Sequence, residues 1–380
     1  MEFTCNSELF FQAISHVGKA ISNQNTIDAL NNFYIELYEN KLTLRGYNLT
    51  LGIESSIPID DCSVCGRVLI RAKTLHDVVR HFNNETLYFK CDNTHMLNLK
   101  SDRFSFDLRG QSCENYPVFP SMDNGAQFEL SYATVKDCLS QALFAASLDE
   151  TQDVLSGVLF KHEDGQLMVV GADGFRLALK QVHADIPSFY TILPAKSMQE
   201  FIKLIAKPEE SDTVSITITE HQAQFVLKNT VLVTRVMQGM FPDYKKIKPA
   251  TFGYSFQVSK RQLQGSCERA SIISAEANDV VMFRFHSEGI HLTAKANALG
   301  KFEETVSASL IEYPQAPLTL AFNIRMILDG LRAIESDDVI VSFNSAETPC
   351  LITPAVDESF TYIVMPVRVA SNVVQEPVAQ

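Results

Sequence analysis

One pattern recurs three times along this chain, at a spacing of about 125 residues. A helix-spaced apolar set at Phe10, Ala13, Ile14 and Val17 returns as Val135, Cys138, Leu139 and Ala142, and again as Leu263, Ser266, Cys267 and Ala270. A second set follows each first one: Leu75, Val78, Val79 and Phe82; Met198, Phe201, Ile202 and Ile205; Ile324, Ile327, Leu328 and Leu331. Spacings of i, i+3, i+4 and i+7 put such residues on one buried helix face. Between the helical sets lie alternating strands, with Leu49/Leu51/Ile53, Val214/Ile216/Ile218 and Val339/Val341/Phe343 apolar at every second residue, as a sheet with one covered face requires. Solenoid units run only to about 50 residues, so repetition at this length means repeated domains. The 380 residues agree with two to three domains, and each unit is long enough for its own core. Function must then come from arranging similar α+β modules, each with two helices on antiparallel sheet.

An apolar content of 46% is that of an ordinary soluble protein. No stretch approaches the roughly 18 apolar residues of a membrane span, and Met1-Glu2-Phe3-Thr4 lacks the basic region and apolar run of a secretion signal. The expected location is the cytoplasm. Eight cysteines are spread along the chain, several at helix-core positions such as Cys138 and Cys267, and read as reduced small hydrophobes, not a disulfide framework.

The net charge of −13 argues at first against nucleic acid, whose phosphates want Lys and Arg. Its distribution argues the other way. The six helical segments 8–20, 72–82, 134–147, 195–207, 259–270 and 323–334 hold twelve Lys or Arg against six Asp or Glu, while the rest of the chain holds 20 basic and 39 acidic groups. One such helix is merely decorated with surface charge; six with a common bias make a shared basic surface the better reading.

The pattern restarts after Asp123-Asn124-Gly125 and after Lys248-Pro249-Ala250, both turn signals. These joins divide the chain into modules 1–124, 125–251 and 252–369, with a loose tail over 370–380 that carries no periodicity. Short joins favour rigidly docked modules.

Catalytic chemistry is thinly represented. Cys62-Ser63-Val64-Cys65 has the spacing of half a zinc site or a redox pair, but Cys91 and Cys113 stand alone and no second CxxC or paired His completes it. Gly171-Ala172-Asp173-Gly174 lacks the strand-to-helix context of a phosphate loop. The nine histidines sit singly. No catalytic residue, metal ligand or cofactor is assigned.

Several unusual strings remain: Gly171-Ala172-Asp173-Gly174-Phe175-Arg176-Leu177-Ala178, Met240-Phe241-Pro242-Asp243-Tyr244 and Tyr362-Ile363-Val364-Met365-Pro366-Val367-Arg368, with Glu114 to Pro120 and Ile311-Glu312-Tyr313-Pro314 between them. In order and spacing, from Phe3 to Arg368, they resemble the signature segments of the bacterial DNA polymerase III beta subunit family, the sliding clamps. The resemblance implies a head-to-tail homodimeric ring of six modules, helices lining the hole and sheets outside. The basic island would then face encircled duplex DNA, held by topology and loose phosphate contacts without base readout. Candidates for that lining are Lys73, Arg80, Lys136, Lys196 and Lys203, and in the third module Lys260, Arg261, Arg269, Arg325 and Arg332. Family positions at the subunit boundary correspond to Phe104, Phe106 and Leu108 at one end and Ile272 with Ile273 at the other.

The family's partner pocket takes a short peptide from polymerases, the clamp loader and repair proteins. Carried over by position it comprises Leu155, Ala172, Gly174, Phe175, Arg176 and Leu177, then Pro242 and Ile247, and from the last strand Val364, Met365, Pro366, Val367 and Arg368, bordered by Asn323 and Met326. Leu, Met, Val and Pro make an adaptable apolar trough, and a few polar groups orient the peptide. The sequence departs from the family where Ala172 replaces a common Thr, Phe175 a common His and Gln24 an Arg, and where Leu148 to Asp153 is acidic instead of polar, basic and aromatic. Residues 370–380 extend past the usual family end. The implied function is a non-catalytic processivity clamp that tethers a replicative polymerase to DNA. A divergent paralogue serving mainly as a protein-interaction hub with weak DNA loading is the second reading. A three-domain enzyme built on Cys62 and Cys65 is a third, which metal analysis of the purified protein separates.

Overall fold

The computed structural model describes residues 1–22, 26–59, 62–82, 84–122, 124–205, 212–314 and 316–368. The helices are α1 (Ser7–Val17), α2 (Ala72–Val79), α3 (Tyr132–Ala142), α4 (Ala195–Leu204), α5 (Lys260–Ser274) and α6 (Ile324–Ala333). A polar residue at the end of the preceding strand starts three of them. Asn6 accepts from the Glu8 and Leu9 amides, Ser131 from the Thr134 amide, and Asn323 from the Arg325 and Met326 amides, satisfying donors that a first turn leaves bare.

The first-set residues of all three repeats are buried: Phe10, Ile14 and Val17 on α1, Val135, Cys138 and Leu139 on α3, Leu263, Cys267 and Ala270 on α5. The second set differs in one respect. Counting from the helix starts Ala72, Ala195 and Ile324, the third-repeat counterpart of Leu75 and Met198 is Ile327, so the third copy is registered one residue-triplet later than its apolar spacing suggests. Ile324, Ile327, Leu331 and Ile334 are all buried, and a pattern that continues in both directions cannot fix its own first turn.

Three sequence repeats give two compact units, one of Met1–Val135 with Lys196–Met237, the other of Lys136–Ala195 with the chain from Gln238 onward. The cause lies in strand pairing. In the first unit, Thr230–Arg235 of the second repeat pairs antiparallel with Leu51–Pro58 of the first, from Thr230 opposite Ser55 to Thr234 opposite Leu51, inside an eight-stranded sheet. In the second unit, Arg176–His183 pairs with Phe360–Val364 of the third repeat inside a nine-stranded sheet. The second repeat thus lends strands to a sheet on each side. A five-stranded sheet completes the first unit and a four-stranded sheet the second.

Among the described residues no helix is long and apolar enough to cross a membrane, and no group of three or more His, Cys, Asp or Glu is placed to hold a metal ion. Cys65 is exposed, whereas Cys138, Cys267 and Cys350 are buried. Burial pushes the Cys138 thiol up to about 12 and raises Cys267 and Cys350 further. Since the thiolate is the reactive form, a maleimide at pH 8 is expected to modify Cys65 in the folded chain and to reach Cys138, Cys267 and Cys350 only after unfolding. Peptide mapping by mass spectrometry reads this; labelling of folded Cys267 at the Cys65 rate contradicts it.

Candidate functional site

The strands Gln166–Ala172 and Arg176–His183 form a hairpin whose turn is fixed by one carboxylate. Asp173 Oδ1 accepts from the backbone amides of Phe175 and Arg176, both at 2.9 Å, and Gly174 takes φ +88° with open space around it. Phe175 therefore projects from the tip, 63% exposed. Its carbonyl accepts from the Met365 amide at 2.8 Å, and the Val367 amide donates to the Ala321 carbonyl at 2.7 Å. Residues 365–367 are thereby laid between the hairpin tip and the strand that leads into α6.

Beneath them, Tyr362 is fully buried and its hydroxyl donates to the Met326 carbonyl at 2.8 Å. These contacts set Met365 beside Phe175 and Val367 beside Ala321, two residues before the α6 cap Asn323, while Tyr362 ties Met326; Met365, Pro366 and Val367 are half-buried. Ala172, Leu177 and Val364 are buried sheet residues, Val364 with no exposed surface. Arg368 is exposed and is the last described residue. Pro242 is exposed and Ile247 half-buried, flanking the turn Tyr244–Lys246. That segment is pinned by the Phe241 amide donating to the Tyr190 hydroxyl at 2.7 Å and by Gly239 packing on Val154, next to Leu155.

Arg176 is a half-buried charge, its side chain 13% exposed. Nε donates to Asp173 at 2.9 Å, a terminal nitrogen donates to Asp329 on α6 at 2.7 Å, and the guanidinium lies 5.6 Å from the Phe144 ring centroid. Burial works against its charge, but the two carboxylates outweigh it and hold the pKa above the ordinary arginine value. Asp329 carried no sequence signal of its own, because nothing in a helix sequence reveals which strand it faces.

The expected subunit-boundary residues occupy sheet edges. Ser105–Arg109 is the outer strand of the five-stranded sheet, paired among the described residues only with Met96–Lys100. Phe104 and Phe106 are exposed and Leu108 half-buried, the two rings meeting Phe82 edge-on at 6.2 Å. With Lys73, Thr74, Asp77, Val78 and His81 they line a cavity of about 430 Å³. In the second unit Ile272 is 67% exposed at the end of α5 and Ile273 is half-buried. The nine-stranded sheet ends on Ala308–Glu312, where Leu310 and Ile311 are exposed. Sequence reading missed both, since adjacent apolar residues before Glu312 look the same in a covered strand.

The cationic residues divide into two groups. Lys73, Arg80 and Arg261 are exposed and form no ion pair among the described residues; Lys196 is exposed and Lys136 half-buried. The others are engaged within the chain. Lys203 pairs with Glu200 at 2.6 Å, Arg269 with Glu304 at 2.6 Å, Arg325 with Asp279 at 2.8 Å and Arg332 with Glu268 at 3.7 Å, while Lys260 donates to the Ile334 carbonyl. The positive charge on offer is smaller than the count in sequence, although exposed pairs of this kind are weak enough to exchange a carboxylate for a phosphate. In the acidic loop, Asp149 caps the turn Glu150–Ser156 through the Thr151 hydroxyl and amide, which hold its carboxyl below the usual range. Gln24 and residues 370–380 lie outside the described residues.

Comparison with known proteins covers nearly the whole chain. Residues 1–120 match the family described as DNA polymerase III beta subunit, N-terminal domain, residues 129–243 its central domain and 245–368 its C-terminal domain. The beta sliding clamp of Synechocystis sp. is 30% identical over 98% of this chain and all of its own length, and that of Bacillus subtilis 27% identical over 97% and all of its own. The crystal structure of the DNA polymerase sliding clamp from Bacillus subtilis superposes with a TM-score of 0.91 at 27% identity, covering 97% of this chain and 100% of that one. The chain belongs to the DNA polymerase III beta subunit family, the beta sliding clamps. Its role is that of a non-catalytic processivity factor in DNA replication, and neither an interaction hub nor an enzyme is favoured beside it.

Proposed function

We propose that two copies of this chain close head to tail into a cytoplasmic ring of six modules that encircles duplex DNA and slides on it, carrying a replicative polymerase. The modules follow the sequence joins near 124 and 251. The observation that carries the reading is a pair of unlike, exposed, apolar sheet edges, Ser105–Arg109 in the first repeat and Ala308–Glu312 in the last. A long apolar edge invites pairing with another chain. Two unlike edges on one chain make a heterologous contact, which gives a ring when the rotation closes. The basic helix residues, led by the unpaired Lys73, Arg80 and Arg261, would meet phosphates loosely, and half-neutralised cations suit a surface that must slide more than a strong binder. Polymerase, clamp loader and repair proteins would dock short peptides on the trough around Phe175, Met365 and Pro366, whose Met and Pro lining tolerates varied apolar side chains.

Loading onto circular and linear DNA tests the reading directly. After loader-driven assembly on a nicked circle and gel filtration, the chain is expected to stay with the circle and to be lost once a restriction enzyme cuts it. Equal retention on both forms would mean ordinary binding, and the ring reading would fall.

A further inference from the structure

The turn that carries Phe175 occurs twice in the chain, once without any charge. In the first repeat Asn48 Oδ1 accepts from the Thr50 and Leu51 amides at 3.1 and 2.8 Å, Leu49 takes φ +72°, and the Arg235 amide donates to the Thr50 carbonyl at 3.0 Å. In the second repeat Asp173, Gly174, Phe175 and Met365 reproduce each of these contacts. Where the first copy has buried Leu51, however, the second has Arg176, bound to Asp173 and across to Asp329. The turn itself therefore forms without the Arg176 ion pairs, while the strands that flank its first copy carry a cross-strand pair of their own, Arg45 with Glu54 at 2.6 Å.

Half-burying a guanidinium between carboxylates adds little stability, because desolvation offsets much of the attraction; what the pair adds here is a link of fixed geometry, with 2.9 Å to Asp173 and 2.7 Å to Asp329. Here it joins two elements that border the trough. Arg176 begins the strand just after the Phe175 tip, and Asp329 lies in the middle of α6, one turn beyond Met326, whose carbonyl is tied to Tyr362. Gly330, next to Asp329, lets α6 approach the Tyr362 ring so closely that a Cβ would sit 2.4 Å from it.

We propose that Asp329 is a positioning residue of the trough: through Arg176 it sets the distance between the Phe175 tip and α6, and so the width offered to a bound peptide. Resting on the reading of this surface as a peptide site, the assignment adds a residue that the peptide itself need not touch. A neutral Asp329→Asn side chain keeps shape and loses the ionic hold; Asp329→Glu keeps the charge.

Fluorescence anisotropy with a labelled peptide from the replicative polymerase of the same organism gives the affinity, and hydrogen exchange of the Met365 amide reports the tip contact without any ligand. Asp329→Asn is expected to weaken binding about tenfold and to speed Met365 exchange, leaving the matching Arg235 amide and the sedimentation coefficient as in the wild type. Asp329→Glu is expected to recover most of both. Unchanged affinity in Asp329→Asn overturns the proposal whatever the exchange does. Should the wild-type chain bind no peptide, the trough reading itself fails, and an unchanged Met365 exchange rate would then remove the ionic hold as well.

Discussion

An Ile272→Asp chain is expected to sediment as a monomer at micromolar concentration where the wild type sediments as a dimer. Ile272 is a large apolar side chain left 67% exposed at the end of α5, close in sequence to half-buried Ile273. Full burial of such a side chain contributes about 1.5–3 kcal/mol. An unpaired carboxylate forced into the same contact costs several kcal/mol more. A head-to-tail ring of two chains contains the contact twice, so the two penalties count twice. Together they exceed the ~4 kcal/mol that separates a nanomolar from a micromolar dimer. Ile272→Val keeps the apolar character and is expected to remain dimeric. Analytical ultracentrifugation of the three proteins checks this, and a dimeric Ile272→Asp chain would remove α5 from the subunit boundary. Deleting the Phe106 ring, which lines the cavity at the other edge, is expected to act in the same direction with a smaller effect, because Phe82 and Phe104 remain.

What sequence could reveal here was set by periodicity. The helix faces of α1, α3 and α5 were legible because a 3.6-residue period has only one buried side, and Phe10, Val135 and Leu263 each mark its start. The turn of α6 was not, because Phe322, Ile324, Ile327, Leu331 and Ile334 are buried on both sides of the helix boundary and the period has no visible beginning. Sharing of the second repeat between two sheets was equally hidden. The pairing of Thr230–Arg235 with Leu51–Pro58 joins residues some 180 positions apart, and alternation in each strand is the same whichever neighbour it takes.

The candidate sites show a similar division. Family strings pointed to Phe175 and Met365, whose backbones the fold joins by a hydrogen bond, and to Arg176, which it turns toward Asp173 and Asp329. Charge counting identified the basic helices but overstated them, since Arg269, Arg325 and Arg332 find carboxylates on other elements, at Glu304, Asp279 and Glu268. Only the tertiary fold decides such partners. Lys180 shows the same dependence: it is buried in the strand Arg176–His183 and bonds Asp137 at 3.0 Å and Ser359 at 2.9 Å, partners that only the fold brings near.

The second large effect is expected from one methyl group. Gly171→Ala would place a Cβ 2.2 Å from the Ala142 carbonyl oxygen at the end of α3, and Gly46→Ala would place one 2.4 Å from the Val17 oxygen at the end of α1. Both obstacles are backbone atoms, so no side-chain rotation relieves them, and either the helix end or the strand must move. Overpacking of this kind costs about 1–3 kcal/mol and sometimes more. For a unit of roughly 180–200 residues that lowers the melting temperature by about 2–4 °C per kcal/mol, or on the order of 6–12 °C at the upper end. The two substitutions separate stability from function, because they fall in different compact units. Gly171 lies one residue before Ala172 and the Asp173 turn, so its displacement propagates to the Phe175 tip; Gly46 lies on the first-repeat hairpin, whose turn is the copy without charge. Calorimetry should therefore show comparable losses in the two variants, while the labelled peptide should bind more weakly to Gly171→Ala and as tightly as before to Gly46→Ala. A Gly171→Ala chain melting within 1 °C of the wild type would mean that strand and helix end do not approach as closely as 2.2 Å implies. Equal peptide loss in both variants would mean that the trough responds to overall stability and not to the placement of its tip.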